Sequence, residues 1–137
     1  MRHDAILQGW PFWRRRIACT EHAAALLAPR LASLATEELW FLHLDAGLRL
    51  IHRASTPGGV ESVAIPIRAL VRDAMVRGTR VLILAHNHPS GEMEPSRADR
   101  EATRRLIEIV RPLDIRVLDH LIFAGGGWTS FRQRGLL

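Results

Sequence analysis

The sequence predicts an α/β fold built on a mixed sheet, and three observations lead there. Two apolar runs, residues 39–44 and 81–85, have the length and composition of buried strands. Other stretches repeat apolar residues at helical spacing. Strands and helices follow one another without strict alternation, which points to a mixed sheet rather than a purely parallel one. At 137 residues the chain is one domain, large enough for a real hydrophobic core.

The elements follow in order. Residues 1–19 read as an N-terminal arm, and residues 20–137 as the domain. The arm carries Trp10, Phe12 and Trp13. It is expected to dock on its own domain, since a free aromatic cluster would be an exposed patch. Thr20 suits a helix N-cap. Residues 21–34 form the helix, with Ala23, Leu26, Leu27 and Leu31 on its inner face and Pro29 as a kink. Residues 39–44 are a strand, Ala46 and Gly47 a turn, and residues 48–54 the return strand. There Leu48, Leu50 and His52 share one face, and Arg49, Ile51 and Arg53 the other. Pro57, Gly58 and Gly59 turn the chain into a third strand over 60–64. Pro66 fits the first turn of a helix. Ile67, Leu70, Val71 and Met75 form its apolar stripe, and Gly78 ends it. After the central strand 81–85 comes a loop. A helix follows with Ala98, Ala102, Leu106 and Ile109 inward, closed by Pro112. Residues 117–123 make a last long strand, and three glycines turn it into residues 128–131.

Composition narrows the function classes. Hydrophobic residues are 47% and charged residues 24%, as in an ordinary globular protein. No apolar run approaches a membrane span. The N-terminus lacks a signal-peptide core, because its aromatic stretch is short and runs into Arg14, Arg15 and Arg16. One cysteine, Cys19, cannot form an internal disulfide, and a cytoplasmic home fits. The net charge is +5, and all 19 basic residues are arginine. A genome rich in arginine codons explains that more simply than avoidance of lysine-conjugating machinery. Apart from residues 14–16 the arginines are scattered, without the aromatic interleaving of single-strand binders. Nucleic-acid binding is therefore expected to be weak or absent.

The chemistry gathers at residues 86–99, HNHPSGEMEPSRAD. His86 and His88 stand two apart at a strand end, so both imidazoles face one point. Pro89, Ser90 and Gly91 stop the strand. A polar loop can then bring Asp99 back. Two neutral imidazoles and a carboxylate with an open fourth position are what a catalytic zinc needs. Each part also has a plainer reading. Ser96 with Asp99 fits a capping box at a helix start. A lone histidine at a strand end is usually only hydrogen-bonded. The string His-Asn-His is no sign of the nucleases named for those letters, whose residues are dispersed.

The spacing of His86, His88, Ser96 and Asp99 resembles the JAMM (MPN-plus) zinc metallopeptidase motif. Asn87 between the histidines, with Pro89, Ser90 and Gly91 after them, resembles the RadC-like JAB branch. So do Ile65-Pro66-Ile67-Arg68, Asp119-His120-Leu121-Ile122, Ser130-Phe131-Arg132 and Gly135-Leu136-Leu137, in the same order. The resemblance covers the chain from about Thr36 to its end. It implies a single JAB/MPN-like domain, a curved mixed sheet flanked by helices. It implies Zn2+ on His86, His88 and Asp99, with Glu37 as the catalytic glutamate. Glu38 keeps the plain reading of a solvated or helix-terminating residue. Ser96 would donate to the developing oxyanion. The implied activity is hydrolysis of a peptide or isopeptide bond at the C-terminus of a ubiquitin-like protein, deubiquitinase-like. Conjugation-system proteins would be partners.

Two rivals stand beside this reading. One is a RadC-type accessory protein acting on or near DNA. The arginine excess favours it, and the short stretch before Thr36, with no Gly-containing helical hairpin, weighs against it. The other is a metal-free scaffold, which the complete set of five residues disfavours. Asp119 or His120 could hold the far nitrogen of a ligand histidine, or be buried structural groups. His3, His22, His43 and His52 have no assigned role. Arg97, Arg100, Arg104 and Arg105 read as a solvated helix face. A substrate tail would lie between residues 89–95 and residues 55–61, and its last residue would be Gly or Ala.

Overall fold

Side-chain alternation along two neighbouring strands sorts the core into two layers. Trp40, Leu42, Leu44, Val81, Ile83 and Ala85 face one way, into a cluster with Ala23, Leu27 and Leu31. Leu39, Phe41, Leu82 and Leu84 face the other way, against Leu70, Ala74, Leu106 and Val110. Strands that are apolar on both faces must be covered on both. Among the described residues one helix covers the first face and two cover the second.

The computed structural model describes residues 2–3 (backbone only), 14–58 and 64–137. Its elements are β1 (Arg2–His3), α1 (Thr20–Leu31), β2 (Glu38–Leu44), β3 (Leu50–Pro57) and α2 (Ile67–Arg77). Then come β4 (Val81–Asn87), α3 (Arg97–Val110), β5 (Arg116–Ala124) and β6 (Gly127–Ser130). The strands form one sheet in the order β1-β3-β2-β4-β5-β6. β2 runs antiparallel to β3 and β4, while β4 and β5 are parallel. The sheet is mixed, as expected, and α3 is the crossover that a parallel pair requires. No helix among the described residues is long and apolar enough to cross a membrane.

Several elements differ from expectation. Cys19, not Thr20, precedes α1, and the Thr20 hydroxyl instead reaches Asp119. α1 stops at Leu31 with Pro29 in its last turn, where the Ser33 hydroxyl donates to the carbonyls of Pro29 and Arg30. β3 begins at Leu50, because Leu48 takes a left-handed φ of 62° in the turn. The expected strand over 60–64 lies mostly outside the described residues, and Ala64 is not in a strand. Pro66 precedes α2 rather than opening it. Gly78 does end α2, at φ 70°. Met75 is 57% exposed, and Ala74 takes the inward place beside Leu70. Along α3 the buried residues are Asp99, Thr103, Leu106 and Val110. That face is turned by one residue from the expected Ala98, Ala102 and Ile109.

Part of the arm is among the described residues. Its aromatic cluster lies outside the described residues. β1 pairs with β3, and residues 14–17 run along residues 48–50. There the amides of Arg14 and Ile17 donate to Leu50 and Leu48 at 3.0 and 2.8 Å. Ile17 is buried in the first core layer.

Candidate metal centre

The site grows from the end of β4. His86 follows Leu82 and Leu84 on the face of the sheet that carries α2 and α3, and His88 continues the same parity. The ladder holds that parity past the strand end, where the His88 amide donates to the Phe123 carbonyl at 2.8 Å. The two Nε2 atoms end 2.8 Å apart. Asp99, in the first turn of α3, brings Oδ1 to 3.5 Å from His86 Nε2 and Oδ2 to 3.4 Å from His88 Nε2. Glu37, just before β2, lies on the same face as Leu39 and Phe41. Glu37, His86 and His88 each offer a ligand atom, all within 4.8 Å of one another, and could hold a metal ion.

Ser96 is the N-cap of α3. Its hydroxyl accepts from the Asp99 amide at 3.0 Å, and the Asp99 carboxylate accepts from the Ser96 amide at 2.8 Å. The capping box is therefore real. It also aims Asp99, since one carboxylate oxygen is spent on the cap while both remain close to the imidazoles. The Ser96 hydroxyl accepts in this bond and keeps its own proton to donate elsewhere.

The donor set suits a tetrahedral ion. Zinc ligands at 2.0–2.1 Å stand about 3.3 Å from each other. The two carboxylate-to-imidazole distances already match that, and the two histidines need to part by only about half an ångström. His88 Nδ1 lies 2.7 Å from the Glu92 carbonyl. A carbonyl only accepts, so Nδ1 carries a proton and Nε2 is the nitrogen turned toward the cluster. His86 is fully buried, Asp99 is 3% exposed, and the His88 side chain is 14% exposed. The cluster thus opens to solvent on the His88 side.

Electrostatics follow from this crowding. Burial pushes the Asp99 carboxyl up, but His86, His88 and the Ser96 amide outweigh it and hold it well below the usual carboxylate range. Asp99 raises the His88 pKa, against burial. Burial raises the Glu37 carboxyl, against the pull of both imidazoles. His120 is pushed well below the ordinary imidazole range by complete burial and by His86.

Three supporting residues complete the site. Asn87 points to the opposite face. Its Oδ1 accepts from the Glu38 amide at 2.8 Å, and its Nδ2 donates to the Thr36 carbonyl at 2.9 Å. It pins the backbone on both sides of Glu37, a role the sequence did not signal. Gly58 donates its amide to the Glu37 carbonyl at 2.9 Å. A Cβ there would stand 2.7 Å from Glu37 Cγ, so only glycine leaves room. His120 meets His86 Nδ1 at 2.7 Å and the Thr103 hydroxyl at 2.7 Å. Asp119 faces away from the cluster. It accepts from the Thr20 and Ser130 hydroxyls and from the amides of His120 and Arg132. Of the two candidates for support of a ligand histidine, His120 makes the contact.

Comparison with known proteins converges on the same stretch. A family model described as the RadC-like JAB domain matches residues 17–136. A UPF0758 protein of Symbiobacterium thermophilum, STH371, is 43% identical over 126 residues, covering 90% of this chain and 54% of that protein. One from Alcanivorax borkumensis is 42% identical over 116 residues, covering 84% of this chain and 52% of that protein. The UPF0758 protein YfjY of Escherichia coli K12 is 40% identical over 119 residues, covering 86% and 74%. The chain spans about half the length of the first two.

Proposed function

The chain belongs to the RadC-like JAB domain family, and from that premise we propose that it is a zinc-dependent hydrolase of amide bonds. One observation carries the reading: two inward-facing imidazole nitrogens 2.8 Å apart with a buried carboxylate 3.4–3.5 Å from each. His86, His88 and Asp99 would hold the ion. Zinc there supplies Lewis acidity that lowers a water's pKa to about 7. Glu37, raised by burial and held by Asn87 and Gly58, takes the proton from the attacking water and hands it to the leaving amine. The Ser96 hydroxyl donates to the oxygen that gains charge. Burial of His86 and Asp99 keeps competing water away from all but the open side.

The finer reading of the substrate is the C-terminal tail of a ubiquitin-like protein in a cytoplasmic setting, supported by the JAMM-like spacing. A second reading is a RadC-type protein acting on or near DNA, which the family description fits more closely. Exposed arginines on two neighbouring helices favour it. Arg68, Arg72 and Arg77 of α2 and Arg97, Arg100, Arg104 and Arg105 of α3 are all exposed. These helices share one face of the sheet, so arginines that look scattered in sequence gather on one side.

Elemental analysis tests the first part: about one zinc per chain is expected, lost in Asp99→Ala. Glu37→Gln should keep the zinc and lose chelator-sensitive cleavage of a ubiquitin-like fusion ending in Gly or Ala. No transition metal and no uptake on titration would overturn the metal centre. Cleavage of casein alone would replace the tail reading with a general protease.

A further inference from the structure

A hydroxyl has one proton, and Thr103 has two neighbours for it. Thr103 Oγ1 lies 2.7 Å from the backbone carbonyl of Asp99 and 2.7 Å from His120 Nδ1. The carbonyl can only accept, so the hydroxyl proton goes there. The Thr103 oxygen must then accept from His120, which places a proton on His120 Nδ1. His120 is 1% exposed, stacks on Phe131 at 4.5 Å between ring centroids, and has no carboxylate among its side-chain partners in the described residues. An imidazole buried in this way stays neutral and holds a single proton. Its Nε2 is therefore a lone pair, and it faces His86 Nδ1 at 2.7 Å. His86 must supply the proton of that bond from Nδ1. One nitrogen remains, Nε2, whose lone pair is turned toward Asp99 and accepts in the 2.8 Å contact with His88 Nε2.

We propose that Thr103 and His120 are positioning residues that fix the tautomer of His86, so that it meets a cation with a lone pair. The inference rests on the metal-centre reading for its purpose, but not for its geometry. The chain of bonds leaves the Asp99 carbonyl and passes through Thr103 and His120 to His86 Nδ1. The far nitrogen of His86 then stands 3.5 Å from the Asp99 carboxylate. β4, β5 and α3 each contribute a member. The second histidine obtains the same result more simply, from the Glu92 carbonyl. Among the described residues the buried histidine has no carbonyl partner for its ring, and a neutral imidazole takes that place. A carboxylate there would add a negative charge to a site that already holds Asp99 and Glu37.

Long-range proton–nitrogen NMR of the histidine rings, recorded on the whole metal-free protein at pH 8, reads each tautomer directly. His86 and His120 are expected to be protonated at Nδ1, with His86→Asn and His120→Asn used for assignment. Thr103→Val removes the hydroxyl and should leave His86 in mixed tautomers. Its zinc affinity, read by competition with a chromophoric chelator, should fall by about ten- to a hundredfold. Thr103→Ser should restore both. A proton on Nε2 of His86 in the wild type overturns the proposal, as does a Thr103→Val protein with unchanged tautomer and affinity. If Thr103→Val does not fold, the wild-type spectrum still decides. Correct tautomers in a protein that takes up no zinc would refute the metal reading alone. Zinc uptake with the reversed tautomer would refute this relay alone.

Discussion

Asp119 offers a test of which buried acid is structural. Its carboxylate is 1% exposed and accepts four bonds, from the hydroxyls of Thr20 at 2.6 Å and Ser130 at 2.5 Å and from the amides of His120 at 2.7 Å and Arg132 at 3.0 Å. These groups come from α1, β5, β6 and the segment after it. Asp119→Ala removes an acceptor that two fixed backbone amides share. Each amide left without this partner costs about 1–3 kcal/mol, and the loss of two hydroxyl bonds at about 0.5–1.5 kcal/mol each brings the total to roughly 3–9 kcal/mol. A domain of this size holds about 5–15 kcal/mol in all, so the variant should stand at the edge of unfolding. Asp119→Asn is different. Oδ1 can still accept both amides, and the two hydroxyls can rotate to accept from the new amide group. Only the charge assistance is lost, about 1–2 kcal/mol. Urea unfolding followed by circular dichroism, with a chelator present, separates stability from any metal. Asp119→Ala within about 1 kcal/mol of wild type would refute the argument. So would an Asparagine variant as damaging as the alanine one, or one that loses zinc.

Other consequences are as direct. Gly58→Ala places a Cβ 2.7 Å from Glu37 Cγ; zinc content should hold while cleavage falls by about 10²–10⁴-fold, the usual worth of a general base, as read by zinc analysis and a cleavage assay side by side. His88 has a raised pKa in the folded, metal-free chain, so its contribution to stability is fully present below the unfolded value of about 6.5 and fades as pH rises through the folded one. The urea midpoint lost in His88→Gln should accordingly be larger at pH 5.5 than at pH 8.5, and equal losses would contradict the pairing with Asp99. Duplex binding through the arginine face should be weak and steeply salt-dependent, with the log–log slope reduced by about 0.9 for each phosphate-contacting arginine removed among Arg100, Arg104 and Arg105. A sequence-specific complex that survives physiological salt, seen by anisotropy, would put the DNA reading first.

What could be read from the residues depended on local rules. His86 and His88 were legible because parity along a strand is a local property, and Asp99 because capping fixes its distance from Ser96. His120 resisted for a physical reason. β5 shifts register against β4 between Leu82 and Ile83, so that Leu82 faces Val117 but Ile83 faces Asp119. One extra residue, Leu118, lies in the bulge. Val117 and His120 therefore share a face although they are three apart, and counting by twos puts the histidine on the wrong side. α3 misled in a related way. Its apolar residues suggested one inward face, but Asp99 and Thr103 turn inward because the site satisfies them. Asn87 was hidden by its neighbours, since its task lies on the other side of the sheet from theirs. β1 has two residues and no pattern to read.

The position of β4 sets how the site would open. β4 has a strand on each side, is buried along its whole length, and carries His86 and Asn87 near its end. Amides in such a strand exchange with solvent only when the whole domain opens. His88 lies just beyond, at the start of the loop to α3, where one side meets water. An ion would thus be captured and released by motion of that loop, on its own fast clock. The buried half of the cage would keep its shape as the ion leaves, since it rearranges only on the slow clock of global unfolding. Chelation should then strip the metal without melting the sheet, leaving a protein ready to reload.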